Sequence, residues 1–186
     1  NIMRVSSILD SFEDRQYIFS ISSPYSFIAS CIYNYFSARN GKIFKWRGMT
    51  YDHTLLKFND IIPVVAKTWV KTALIQKNNI EAHGVNKLRI NYEDFCNNPI
   101  KLLELFNVDH LGDNAQTSLI KGKKNSNISE ISNMLPKHLK FLRDKGILQI
   151  NSILEKSMEL MEWHGYSLIS VEDAEYILAK NMVLTL

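Results

Sequence analysis

The feature that most constrains the fold is the stretch 17–30, which predicts a buried strand, a turn and the start of a helix. A short β-prone apolar run comes first. Pro24 then suits the first turn of a helix, and Ser22 and Ser23 stand where an N-cap is expected. Ligands of open α/β sheets bind past the carboxyl ends of strands, where a helix N-terminus favours anions. The stretch is therefore a candidate phosphate-binding corner, and an ordinary strand–helix junction is the alternative.

Length and composition indicate one globular domain over 1–186. Of its 186 residues, 46% are hydrophobic and 22% are charged, which suits a protein with a real core. The net charge of +3 is too small to indicate a nucleic-acid partner. No apolar run approaches the ~20 residues that span a bilayer, and a signal peptide is not recognisable. Cys31 and Cys96 show neither metal-binding nor disulfide spacing, so we expect a cytoplasmic protein.

Hydrophobic periodicity predicts helices and strands in alternation. The strands are predicted at 17–21 and 87–92. Helices are predicted at 4–12, 24–39, 60–79, 97–106, 136–145, 147–164 and 172–180. Gly146 is expected to separate two of the later helices, and Gly165 to end the second of them. The segments 41–57 and 107–133 are predicted to be irregular.

The two strands present a difficulty for the fold. A strand, a long helical crossover and a second strand imply parallel pairing. A parallel sheet of only two strands buries itself poorly, because such sheets need several strands covered on both faces. Either 41–57 contains further strands or the rest of the sheet comes from polypeptide outside this sequence, and the second alternative is favoured.

Several segments together resemble the PAPS-dependent sulfotransferases (PAPS is 3′-phosphoadenosine 5′-phosphosulfate). The segments that carry the resemblance are, in order, Arg4, Phe12, Tyr17-Ile18, Pro24, Ser30, Trp69, Tyr92-Glu93-Asp94-Phe95, Pro99 and the closing stretch 159–166. In that family a strand ends in an Arg-Asp-Pro turn, and a Ser lies eight residues after the Arg. Pro24 and Ser30 occupy the matching positions, over a resemblance that covers roughly residues 1–168.

The resemblance implies a P-loop-NTPase-like α/β fold, a parallel sheet flanked by helices that is incomplete in this chain and has a helical C-terminal part. It also implies transfer of a sulfuryl group from PAPS to a hydroxyl or amine. Two departures bear on this expectation. Ser22 and Ser23 replace the family's Arg and Asp, which removes a charge-assisted bond of about 1.5–3 kcal/mol. The family's 5′-phosphosulfate loop, with its Lys or Arg and Gly-Thr/Ser, and its usual catalytic base have no counterpart. We therefore expect this chain to be a C-terminal portion that lacks an N-terminal part, or a degenerate relative.

The resemblance assigns a set of candidate residues to the 3′-phosphate. They are Ser22, Ser30, Lys121, Gly122, Lys123 and Lys124. A plain cap is the alternative for Ser22, a small residue packed on the sheet for Ser30, and a solvated basic loop for the lysines. No catalytic residue is assigned. A second basic group, Lys137, Lys140, Arg143 and Lys145, could face an acidic glycan acceptor or only solvent.

Other chemistries are not supported by the sequence. Glu93 and Asp94 are predicted to be structural, and the five histidines have no metal-ligand spacing. Two functions of different classes stay open. One is a sulfotransferase whose donor loop lies outside this chain, and the other is a non-catalytic, sulfotransferase-like binding or structural module. The acceptor, a small molecule or a glycan, is not identified by the sequence.

Overall fold

The computed structural model describes residues 19–37, 43–46, 49–52, 58–83, 89–97 and 133–183. These residues are mostly helical, with a small two-stranded parallel sheet and a separate antiparallel hairpin. The chain divides into two compact units. The first comprises Asn1–Ser22 with Leu74–Met134, and the second Ser23–Ala73 with Leu135–Leu186.

In the first unit, strand β1 (Phe19–Ile21) pairs in parallel with β4 (Arg89–Asn91), with Ser20 opposite Ile90. The prediction of parallel strands in these two places is confirmed. The predicted second strand was too long at its end, because Tyr92 already begins a short helix, α3 (Tyr92–Asn97). Predicted elements at 4–12 and 97–106 lie outside the described residues, apart from Asn97 itself.

In the second unit, α1 (Pro24–Ser37) confirms the predicted helix after the Pro-containing turn. It packs against α4 (Leu135–Leu154), and α4 also packs against α6 (Val171–Val183). The core of this unit consists of large side chains that are fully buried. They include Tyr25, Ile28, Ile32, Ile62, Trp69, Leu139, Leu142, Ile147, Ile150, Leu154 and Met161.

The prediction that 41–57 is irregular is wrong. Strand β2 (Ile43–Trp46) pairs with β3 (Met49–Asp52) in an antiparallel hairpin, with Trp46 opposite Met49. The hairpin forms a sheet of its own and adds no strand to the β1–β4 pair. Further strands therefore exist within 41–57, but they do not complete the parallel sheet.

Helix α2 (Phe58–His83) begins before and ends after the predicted 60–79. It contributes residues to both units, with the boundary between Ala73 and Leu74. Pro63 lies inside it near its start, which is where a missing N–H is tolerated.

The predicted break near Gly146 lies three residues earlier. Arg143 has φ 56° and ψ 172°, a non-helical backbone conformation that kinks α4, whereas Gly146 is buried within the continuing helix. The helix predicted over 147–164 is also divided, because α4 ends at Leu154. A 3₁₀ turn (Glu155–Ser157) and α5 (Met158–Trp163) follow it. Gly165, with φ 78°, closes α5 as predicted.

Candidate functional site

The carboxyl edge of the β1–β4 pair is the part of the first unit where a ligand is expected. Ile21 lies opposite Asn91, so Ser22 and Tyr92 continue the chain from the same edge. Ser22 is half-buried there. Of the two acidic residues that follow Tyr92, Glu93 is buried and Asp94 is exposed. Their predicted structural role stays a prediction.

In the second unit, the start of α1 has the geometry of a capped helix N-terminus. The backbone N–H of Ser26 donates to Ser23 Oγ at 3.1 Å, and the N–H of Phe27 donates to Ser23 O at 2.9 Å. Ser23 is therefore the N-cap and Pro24 the first helical residue, as the sequence predicts. No acidic residue lies in the first turn, so the positive end of the helix dipole is not offset there by a carboxylate.

Ser26 brings an unsatisfied hydroxyl to this helix start. Its side chain is 6% exposed, and its Oγ has no hydrogen-bond partner among the described residues. A buried hydroxyl without a partner costs about 1–3 kcal/mol. Ser26 lies in the first turn of α1, close to its capped end.

Ser30, the residue that the resemblance assigns to the 3′-phosphate, follows Ser26 by four positions on the same helix. Residues at that spacing share a face and are about 6 Å apart along the axis. Ser30 is half-buried, which suits both a ligand-facing hydroxyl and a small packed residue. Together, Ser26 and Ser30 place two hydroxyls on one face of α1, near its N-terminus.

Tyr25 holds the start of α1 in place. Its hydroxyl accepts a hydrogen bond from Ile169 N at 2.8 Å and donates to Asn151 Oδ1 at 2.5 Å. Asn151 Nδ2 in turn donates to Ile169 O at 3.0 Å. Burial raises the pKa of Tyr25 to about 12, and the hydrogen bond from Ile169 N partly opposes this rise. The phenol therefore stays protonated and bridges α1, α4 and the segment before α6.

The basic residues predicted for the site divide into two groups. Lys121, Gly122, Lys123 and Lys124 lie outside the described residues. The second group, Lys137, Lys140, Arg143 and Lys145, is exposed along α4. Exposure of this kind agrees with the solvated alternative.

The described part of the chain contains neither a metal-binding cluster nor a disulfide. Within the described ranges, no group of three or more His, Cys, Asp or Glu side chains could hold a metal ion. Cys31 and Cys96 are half-buried, and neither takes part in a disulfide. His164 is fully buried, and its Nε2 donates to Ala73 O at 3.0 Å, because a carbonyl oxygen only accepts. It is a core histidine.

No helix of the described segments has both the length and the apolarity needed to cross a membrane. Comparison with protein-family models, with curated proteins and with solved structures finds no match.

The sequence prediction overlooked Ser26, although a signal for it was present. Ser26 lies three residues after the N-cap and four before Ser30, so helical spacing alone aligns it with both. Its burial, which makes the free hydroxyl costly, depends on packing and could only come from the structure.

Proposed function

We propose that the protein is a sulfotransferase-like transferase that binds PAPS and passes its sulfuryl group to a hydroxyl or amine. The observation that carries the proposal is the buried, unsatisfied hydroxyl of Ser26 at a capped helix start without acidic residues. A phosphate oxygen accepts hydrogen bonds and is attracted to the positive end of a helix. Ser26 and Ser30 are the proposed ligands of the 3′-phosphate, and both belong to the second unit.

The fold proposed with this function is a P-loop-NTPase-like parallel sheet flanked by helices, of which the β1–β4 pair is the described part. In the reaction, the acceptor oxygen or nitrogen forms a bond to sulfur while the bond from sulfur to the 5′-phosphate oxygen breaks. The acceptor proton passes to a base, and adenosine 3′,5′-bisphosphate leaves. No residue of this chain is assigned as the base. What the chain's own residues contribute is binding and orientation of the nucleotide.

A non-catalytic, sulfotransferase-like binding or structural module is the second candidate. It is favoured by Ser22, which stands where the family carries its phosphate-binding Arg. A neutral hydroxyl forms a weaker bond to a phosphate than a guanidinium does. The first turn of α1 likewise contains no Lys or Arg to compensate.

Calorimetric titration of the full chain with adenosine 3′,5′-bisphosphate tests the proposal. We expect micromolar binding that Ser26→Ala and Ser30→Ala each weaken by about five- to tenfold, the size of one lost hydrogen bond to a charged group. Adenosine 5′-monophosphate lacks the 3′-phosphate, so both substitutions are expected to leave its binding unchanged. Neutralising Lys121, Lys123 and Lys124 tests the predicted basic loop in the same assay.

Ser167→Ala is the matched control, because Ser167 is an exposed serine outside α1. Absence of binding in a protein with a helical circular dichroism spectrum rules out the enzyme and leaves the module. Equal weakening of both nucleotides by Ser26→Ala or Ser30→Ala contradicts the assignment to the 3′-phosphate.

A further inference from the structure

A second candidate binding site lies wholly within the second unit, between α2 and the end of α4. It is a pocket of about 280 Å³ that is partly open to solvent. It is lined by Lys67, Val70, Ser152, Ile153, Lys156 and Ser157. Its volume lies just below the usual range of small-molecule pockets, which is about 300–1,000 Å³.

The charge of the pocket is positive. Lys67 and Lys156 line it from different elements, and both are exposed. Neither forms an ion pair with a carboxylate of the described residues, where Lys77 pairs with Glu81. Two ammonium groups around one small pocket repel each other, whereas an anion bound between them is attracted to both.

The pocket also has an apolar wall and one hydroxyl available as a donor. Val70 and Ile153 are half-buried and supply the apolar surface. Ser152 Oγ already donates to Gln149 O at 2.9 Å, so its proton is engaged. Ser157 stands at the N-cap position of α5, and its oxygen accepts no cap hydrogen bond there. Its hydroxyl donates to none of the described residues, so its proton is available to a ligand.

We propose that this pocket binds a small amphiphile with one anionic head group, a carboxylate or a phosphate ester, and a short apolar tail. The head group pairs with Lys67 and Lys156 and accepts a hydrogen bond from Ser157. The tail lies on Val70 and Ile153. This site does not depend on PAPS binding, because none of its residues belongs to the start of α1.

The test is an amide NMR titration of the full chain with hexanoate and, in parallel, with hexyl phosphate. We expect at least one of them to shift the amide signals of Val70, Ile153 and Ser157, with a Kd on the order of 1 mM for so few ligand atoms. Acetate removes the tail and 1-hexanol removes the charge, so both are expected to bind at least fivefold more weakly. Shifts confined to other residues, or equal binding of 1-hexanol, overturn the proposal.

Substitutions then test the assigned contacts. Lys67→Gln and Lys156→Gln are each expected to raise the Kd about two- to fivefold, and the double variant about tenfold, as for exposed ion pairs. Lys71→Gln is the matched control, since Lys71 is exposed on the same helix as Lys67 but does not line the pocket. Ser157→Ala is expected to weaken binding and Ser152→Ala to leave it unchanged. A double lysine variant that binds like Lys71→Gln refutes the site.

Discussion

The described residues of the two units differ in the kinds of side chain that they bury. In the second unit, the described core contains many large side chains that are fully buried between helices. In the first unit, the described core rests on two strands of three residues each, with Phe19, Ile21, Ile80 and Ile90 as its buried apolar residues. Two buried polar side chains, Gln76 and Glu93, lie among them. Among its described residues, the second unit buries mainly large apolar side chains, whereas the first buries two polar side chains beside its four apolar ones.

The largest expected effect is the loss of a core aromatic residue in the second unit. Trp69 is 1% exposed, and its ring centroid lies 6.3 Å from that of His164 and 6.4 Å from that of Tyr166. Trp69→Ala is expected to lower the free energy of unfolding by about 3–5 kcal/mol, as measured by urea denaturation. Ile90→Ala in the first unit is expected to cost about 2–3 kcal/mol. If Trp69→Ala and Ile90→Ala lowered the free energy of unfolding equally, the contrast between the units would disappear. Tyr176→Ala is the control, because Tyr176 is exposed.

The next effect concerns the hydrogen bonds of Tyr25. Tyr25→Phe leaves Asn151 Oδ1 and Ile169 N without this partner, so it is expected to cost about 1–3 kcal/mol at pH 8. The folded protein holds the phenol proton up to a pKa of about 12, against about 10 in the unfolded chain. The preference of the folded state for a protonated phenol therefore stabilises the protein fully below pH 10. As the pH rises towards 12, this contribution to the free energy of unfolding falls by about 2–3 kcal/mol.

Urea denaturation of wild type and Tyr25→Phe across pH 8–12 measures this contribution as a difference. Tyr176→Phe serves as the control, because Tyr176 is exposed. A difference between wild type and Tyr25→Phe that stays constant up to pH 12 contradicts the assignment.

In the first unit, the polar contact to test is that of Gln76, whose Nε2 donates to Ser20 O in β1 at 3.2 Å. Gln76→Leu keeps the size of the side chain but removes the donor, and is expected to cost about 1–2 kcal/mol. Lys77→Gln removes the exposed pair with Glu81 and is expected to cost under about 0.5 kcal/mol. The β1 amides are expected to exchange faster with solvent in Gln76→Leu than in wild type. Their exchange rate is expected to stay unchanged in Lys77→Gln. A Gln76→Leu variant as stable as wild type would show that packing dominates in this unit too.

Two substitutions at the kink of α4 are expected to have small, stabilising effects. Arg143→Gly relieves a positive φ that is costly for a side chain, for a net gain of about 1 kcal/mol. Gly146→Ala places a Cβ 3.4 Å from Leu142 Cβ and 3.7 Å from Ile62 Cδ1, which are ordinary contacts. The change is expected to gain about 0.5–1 kcal/mol of helix propensity. Thermal unfolding measures both, and a lower Tm for Arg143→Gly would show that its backbone is not strained.

Much of the helical frame could be predicted from the sequence, because its signals are local. Ser23 and Pro24 mark the start of α1, and Gly165 marks the end of α5. The β2–β3 hairpin was missed although only two residues, Arg47 and Gly48, separate its strands, a connection typical of hairpins. The kink at Arg143 could not be predicted, because nothing in the local sequence favours a positive φ at an arginine.

Only part of the candidate site could be predicted, because only part of it depends on local sequence signals. The helix start and Ser30 follow from local spacing. The buried hydroxyl of Ser26 and the bridge made by Tyr25 depend on which distant segments cover α1. Spacing along one helix contains no information about those segments.

The hydrogen bonds of Tyr25 also bear on the order of folding. The phenol contacts Asn151 and Ile169, which are 126 and 144 positions further along the chain. During synthesis, the start of α1 leaves the ribosome long before these partners exist, so the bridge can form only after the residues up to 169 have been added. Contacts of such separation are slow to form. We therefore expect the start of α1 to become rigid in one of the last steps of folding, when Ile169 reaches Tyr25.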